Sequence, residues 1–145
     1  MQFKILEQAA QSTYAVIFDK GDEVIGGLRS LAQEKNLSGA HFTAIGAFRE
    51  ATLGYFDRSM KQYKKIPLRE QVEVLSLIGD IALANGAPQI HAHVVVGKSD
   101  GTAHGGHLLD ARVWPTLEVI LTESPRHLWR RTDAETGLAL IDPSR

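Results

Sequence analysis

Only one stretch of this 145-residue chain carries apolar residues at helical spacing. In KGDEVIGGLRSLAQEKNLSG, residues 20–39, Val24, Ile25, Leu28, Leu31 and Ala32 recur three or four apart and make one stripe. Asp22 stands where a residue caps or begins a helix, and Asn36 and Gly39 mark the end. Gly26 and Gly27 weaken the helix but permit close packing.

The rest of the periodic sequence alternates, which is the signature of strands. Residues 2–8 and 13–19 read as the first two. The second puts Tyr14, Val16 and Phe18 on one face and Ala15 and Ile17 on the other. HFTAIGAF from residue 41 and ATLGYFD after it read as two more. A polar connection with Arg58, Lys61, Lys64 and Lys65 leads to another strand at 66–71. VEVLSLIGDIAL follows, with a bend expected at Gly79 and Asp80. IHAHVVVG, residues 90–97, reads as a partly buried strand and SDGTAHGG as a loop. HLLDARV and TLEVILTE read as strands parted by Pro115, with a small edge strand at 138–141. One helix among many strands implies an α+β fold. We expect a mostly antiparallel sheet or half-barrel packed with one main helix. A doubly wound domain would need regular alternation of strands and helices. The length suits a single domain spanning 1–145.

Composition narrows the function. With 16 basic and 17 acidic residues, net charge −1, the chain has no global basic excess to drive nucleic-acid binding. It has no cysteine, so disulfides, thiol catalysis and thiolate metal sites are excluded. That composition is compatible with a reducing cytoplasm, the expected location. MQFKILEQAAQSTY lacks the apolar region of a signal peptide, and no apolar run is long enough for a membrane span.

The chemistry-bearing feature is His-x-His in IHAHVVVG. In a strand, His91, His93 and Val95 share one face, and Ile90, Ala92, Val94 and Val96 line the other. Such a pair can grip a metal, or it can simply bond polar neighbours or line an interface. An antiparallel return through 98–105, eased by Gly101, Gly105 and Gly106, brings His107 back beside the pair. His91, His93 and His107 would then make a three-histidine site with an open position. That arrangement suits zinc first and is compatible with Fe²⁺, Mn²⁺, Ni²⁺ or Co²⁺. His104 reads as a rim residue, and His41 and His127 as surface or interface residues. A cupin also places His-x-His on a strand, but it wants a glutamate a few residues later, where this chain has Val94, Val95, Val96 and Gly97.

With these residues stands a resemblance. IHAHVVVG at 90–97, DGTAHGGHLLDARVWPTLEVIL at 100–121 and FTAIGAFREATLGYFD at 42–57 resemble the plant- and prokaryote-conserved (PPC or PCC) domain over roughly residues 2–142. The resemblance implies a compact α+β domain assembled as a homotrimer. It implies a metal-binding histidine set in bacterial and archaeal members, falling here on His91, His93 and His107. A Gly-aromatic turn of the family falls on Gly46, Phe48 and Arg49, with Glu50 beside them; in plant members the equivalent region contacts partner proteins. Bacterial members also carry a DNA-binding label. The chain departs from the plant members in having no Arg-Gly-Arg-Pro hook and no basic tract beyond the short KQYKK at 61–65.

Other charged residues are secondary candidates. Glu118 interrupts an apolar strand; it is a weak catalytic candidate, a partner for a ligating histidine's second nitrogen, or an interface residue paired to Arg112. Arg49, Glu50 and Arg112 are candidates for ligand binding or an interface. Asp110, Arg112 and Trp114 read more simply as an ion pair and an aromatic core residue. Trp129, Tyr14, Tyr55 and Tyr63 lack the interleaving with basic residues that single-strand binding favours. Three functions follow: a metal-dependent enzyme or small-ligand binder, a DNA-associated regulatory protein, or an interaction module whose metal stabilises the trimer.

Overall fold

The computed structural model describes residues 1–8 and 11–144, with only the backbone described for 2–8. It contains β1 (Gln2–Gln8), β2 (Ser12–Phe18), α1 (Val24–Glu34), β3 (Gly39–Asp57), β4 (Gln62–Leu68), β5 (Val72–Ala84), β6 (Ala87–Gly97), β7 (Ala103–Glu123), β8 (Arg130–Thr132) and β9 (Ala139–Ile141). Seven strands form one antiparallel sheet in the order β1-β2-β7-β6-β5-β3-β4. The sheet also closes on itself, because β3 pairs with β7 as well as with β5. The fold is therefore α+β, mostly antiparallel sheet with a single helix, as the patterning implies.

The apolar alternation decides which way every strand faces. Ile90, Ala92, Val94 and Val96 are buried, together with Leu53, Leu77, Leu108, Val113, Leu117 and Leu121 from the neighbouring strands. Helix α1 lays Val24, Leu28, Leu31 and Ala32 onto this core and packs against β6 and β7. Each buried leucine contributes about 1.5–3 kcal/mol relative to an exposed one. The helix cap is Glu23, whose carboxylate accepts from Ile25 and Gly26 N–H at 3.0 and 2.6 Å. Asp22, the expected cap, instead accepts from Asp19 N–H and pairs with the N-terminal amine at 2.7 Å. Asn36, at φ 54°, follows the Lys35 cap and ends the helix.

Three breaks expected from the sequence are absent. HFTAIGAF and ATLGYFD are one strand, β3, whose irregularity at Ala44–Gly46 is absorbed without interrupting it. HLLDARV and TLEVILTE are likewise one strand, β7, running through Pro115. Gly79 and Asp80 lie in continuous ladder on β5, opposite Ala92 and His91. The strand expected at 66–71 starts earlier, at Gln62. The C-terminal edge strand exists as β9 but pairs with β8 in a separate two-stranded sheet.

Gly79 is needed for close approach rather than for a bend. A Cβ there would collide with the Phe42 ring and lie 2.5 Å from the His91 carbonyl oxygen. Gly79→Ala should therefore strain both the core and the strand carrying His91. A loss of about 1–3 kcal/mol is expected, the usual cost of overpacking. Urea denaturation of the two proteins measures it.

Candidate metal centre

The ladder builds the site. On the antiparallel pair β6–β7, His93 stands directly opposite His107. Directly opposed residues share a face, and His91 lies two residues along that face. The only glycine of the expected three that turns the chain is Gly101, at φ 81°; Gly105 and Gly106 belong to β7 itself. One ring nitrogen from each of His91, His93 and His107 lies within 4.8 Å of the other two. His91 Nε2 and His93 Nε2 are 3.2 Å apart. Two Zn–N bonds at tetrahedral angle separate their nitrogens by roughly 3.3 Å, from bond lengths of about 2.0–2.1 Å. The donor set therefore fits one small divalent ion. His107 Nδ1 adds an independent sign of fit, being buried with no hydrogen-bond partner.

The rings are held from both sides. Tyr63 of β4 stacks on His107 with centroids 4.7 Å apart and planes at 28°. It reaches that position by lying over Gly54, which is opposite His107 in the ladder; a Cβ on Gly54 would sit 2.8 Å from the tyrosine ring. On the other side, Asp80 Oδ2 lies 3.6 Å from His91 Nδ1, and its Oδ1 accepts from Arg130. Asp80 and His91 are opposed on β5 and β6. A carboxylate at the far nitrogen of a histidine fixes the ring and its tautomer. Asp80 thus takes the position suggested for Glu118. Sequence reading missed it by treating it as part of a bend, although its pairing with His91 across the 85–86 turn was recoverable from hairpin register.

Electrostatics favour the neutral form of His107 and of His93. Burial, with the His91 and His93 charges added, lowers the His107 pKa to about 4. Burial and the His91 charge lower that of His93. Burial pushes the Asp80 carboxyl up, but His91 and Arg130 together outweigh it, and its pKa falls below the ordinary carboxylate value.

The remaining candidates lie elsewhere. Glu118 is exposed on β7 opposite Ile17 and Ile45, in an open groove with Thr43, Ile78 and Ile120. Arg112 faces Glu50 across β7–β3 and donates to the Gly21 carbonyl at 3.3 Å rather than pairing with Glu118. Arg49 pairs with Glu50 at 3.0 Å. All three border a cavity of about 590 Å³ with Lys20 and Trp114, where the lysine amine sits 3.6 Å over the indole. His104 opposes the buried Val96, so it faces away from the three histidines. His127 contacts the Ser38 hydroxyl.

The comparisons agree with this architecture. The model of the Plants and Prokaryotes Conserved (PCC) domain matches residues 6–125. The chain belongs to that family. A plant- and prokaryote-conserved protein of Pyrococcus horikoshii is 31% identical, with a TM-score of 0.85 over 97% of this chain and 94% of that one. A metal-containing protein of Archaeoglobus fulgidus is 35% identical, with a TM-score of 0.83 over 97% and 96%. A candidate DNA-binding protein of Bacteroides thetaiotaomicron is 27% identical, with a TM-score of 0.89 over 99% of each chain. Among curated proteins, the bifunctional protein GlmU of Synechococcus sp. (strain JA-3-3Ab) is 28% identical over 120 residues. The match spans 81% of this chain but only 18% of that protein. Among the described residues, no helix is long and apolar enough to cross a membrane.

The depressed His107 pKa has a measurable consequence in metal-free protein. Between pH 6.5 and about 4 the unfolded chain binds a proton at this histidine that the folded chain refuses. Stability should therefore fall as pH drops through that window. Melting temperatures of metal-free parent and His107→Gln across pH 4–7 test this. The variant should show the shallower dependence.

Proposed function

We propose that this protein is a metal-binding homotrimer whose His91, His93 and His107 centre binds or transforms a small ligand in the cytoplasm. The observation that carries the metal reading is the convergence of three ring nitrogens within 4.8 Å on a rigid antiparallel ladder. The metal-containing relative from Archaeoglobus fulgidus supports it. Zinc is the first choice of ion, since three imidazoles and an open position suit it.

The chain's own residues have definite tasks in this proposal. His91, His93 and His107 hold the ion. Asp80 fixes the His91 ring, and Tyr63 fixes that of His107. When bound, a divalent ion supplies a Lewis acid that polarises an oxygen of the ligand. His93 lies on the exposed side of the trio, so the ligand approaches there. The Arg49, Glu50 and Arg112 cavity is a separate surface, and we assign it to ligand or subunit contacts.

The trimer is supported by the sheet's outward face. His107, His93, Ile78, Thr43 and Ile120 lie in one cross-strand row. Ile45, Leu75, Ile78 and Ile120 on this face are exposed large apolar side chains, Ile78 at 56%. Exposed apolar patches of this kind mark association surfaces. A second reading, a DNA-associated regulator, has the Bacteroides thetaiotaomicron relative behind it and the near-neutral charge against it. Strong binding to duplex DNA that weakens steeply with salt would favour it.

Elemental analysis of protein purified without an affinity tag should find about one ion per chain, as three ligands on a single site require. The His91→Ala and His93→Ala variants should each lose it. A metal-free parent with normally behaving variants would sink the proposal. For assembly, Ile78→Asp should convert a trimer to smaller species in size-exclusion chromatography with light scattering. An unchanged mass would reject this face as the interface.

A further inference from the structure

The residue that anchors the metal centre from outside comes from a segment beyond the family match. The model of the domain ends at residue 125, whereas β8 and β9 occupy Arg130–Thr132 and Ala139–Ile141. Arg130 sends its side chain back to the main sheet, where it is only 4% exposed. Its Nη2 donates to Asp80 Oδ1 and its Nη1 donates to the Ala139 carbonyl at 2.9 Å. One guanidinium therefore ties β9 to β5. The backbone supports the same docking. Leu83 N–H donates to Leu128 O at 2.7 Å, and Leu128 N–H donates to Ser38 O at 2.9 Å.

From Asp80 the path continues to the candidate ligands. The second carboxylate oxygen faces His91 Nδ1 at 3.6 Å, and His91 Nε2 lies 3.2 Å from His93 Nε2. A buried guanidinium is stable only when paired, so docking of the hairpin requires an ionised Asp80 in a fixed rotamer. That same rotamer presents an acceptor to His91 Nδ1, which places the ring's proton there and leaves the Nε2 lone pair for an ion. Docking of β8–β9 and preorganisation of His91 thus share one carboxylate.

We infer that the β8–β9 hairpin is a clamp on the metal centre, with Arg130 a positioning residue that acts on His91 through Asp80. The inference rests on the metal reading proposed above. Coupling of this kind is reciprocal: a docked hairpin raises metal affinity, and a bound ion holds the hairpin docked. No residue of the clamp is one of the three histidines that would hold the ion, so its effect is on affinity and on local opening.

The test is a Zn²⁺ titration of the full chain against a chromophoric chelator, with circular dichroism as the check on folding. Arg130→Met and Asp80→Asn should each weaken binding by about 10-fold or more, the usual effect of losing such a partner. Arg130→Lys keeps the charge near Asp80 and should restore most of the affinity. The double variant should bind no worse than Asp80→Asn alone, because both residues act through one contact. A merely structural Arg130 would instead add its loss to that of Asp80. In parallel, Zn²⁺ should slow amide exchange over residues 128–142 in the parent and not in Arg130→Met. Parental Zn²⁺ binding with unchanged affinity in Arg130→Met would overturn the clamp and leave the metal centre standing. A parent that binds no Zn²⁺ would remove the centre, and the clamp with it.

Discussion

The register of β7 is the constraint on which the rest depends. This one strand, Ala103–Glu123, pairs with β2, β3 and β6 along different parts of its length. Side chains on a strand alternate, so a slip of one residue would turn Leu108, Val113, Leu117 and Leu121 outward and His107 inward. Core burial therefore fixes the address of His107 opposite His93. The histidine arrangement needs no separate device to bring it about. The hydrophobic effect acting along 21 residues places one imidazole correctly.

Around that placement, two opposed electrostatic demands meet. Burial drives His93 and His107 towards the neutral form. A few ångströms away, Arg130 and Asp80 form a charged pair with the guanidinium almost fully covered. The two demands are met side by side on the sheet: His93 is exposed, His91 is half-buried beside Asp80, and Arg130 reaches from the C-terminal hairpin to the carboxylate's other oxygen. An ordinary antiparallel sheet thereby carries two imidazoles biased to the neutral form and, on a neighbouring strand, a carboxylate held ionised by a guanidinium.

Much of this was legible in the residues. Alternation in IHAHVVVG put His91 and His93 on one face, and the short loop after Gly97 put His107 within reach. The single helical stripe gave α1 and its buried side chains. What was misread has a common cause. Gly79, Pro115 and the polar Arg49–Glu50 pair look like breaks to a local pattern reader, but cross-strand pairing carries the strand through each. Asp22 was preferred as a cap on side-chain type, while Glu23 stood one residue nearer the helix with both oxygens usable. Arg130 is different, because its meeting with Asp80 is tertiary: 50 residues separate them, and no spacing rule announces it.

Tyr63 gives the centre a front and a back. The ring covers His107 on the β4 side, and Gly54 beneath it leaves no side chain to hold it away. His93 stands on the uncovered side. The three imidazoles thus differ in access: His93 is exposed, whereas His91 and His107 are half-buried, and a tyrosine ring lies along the face of His107. One side chain of β4, a strand that contributes no histidine to the trio, therefore limits how freely the third ring can turn.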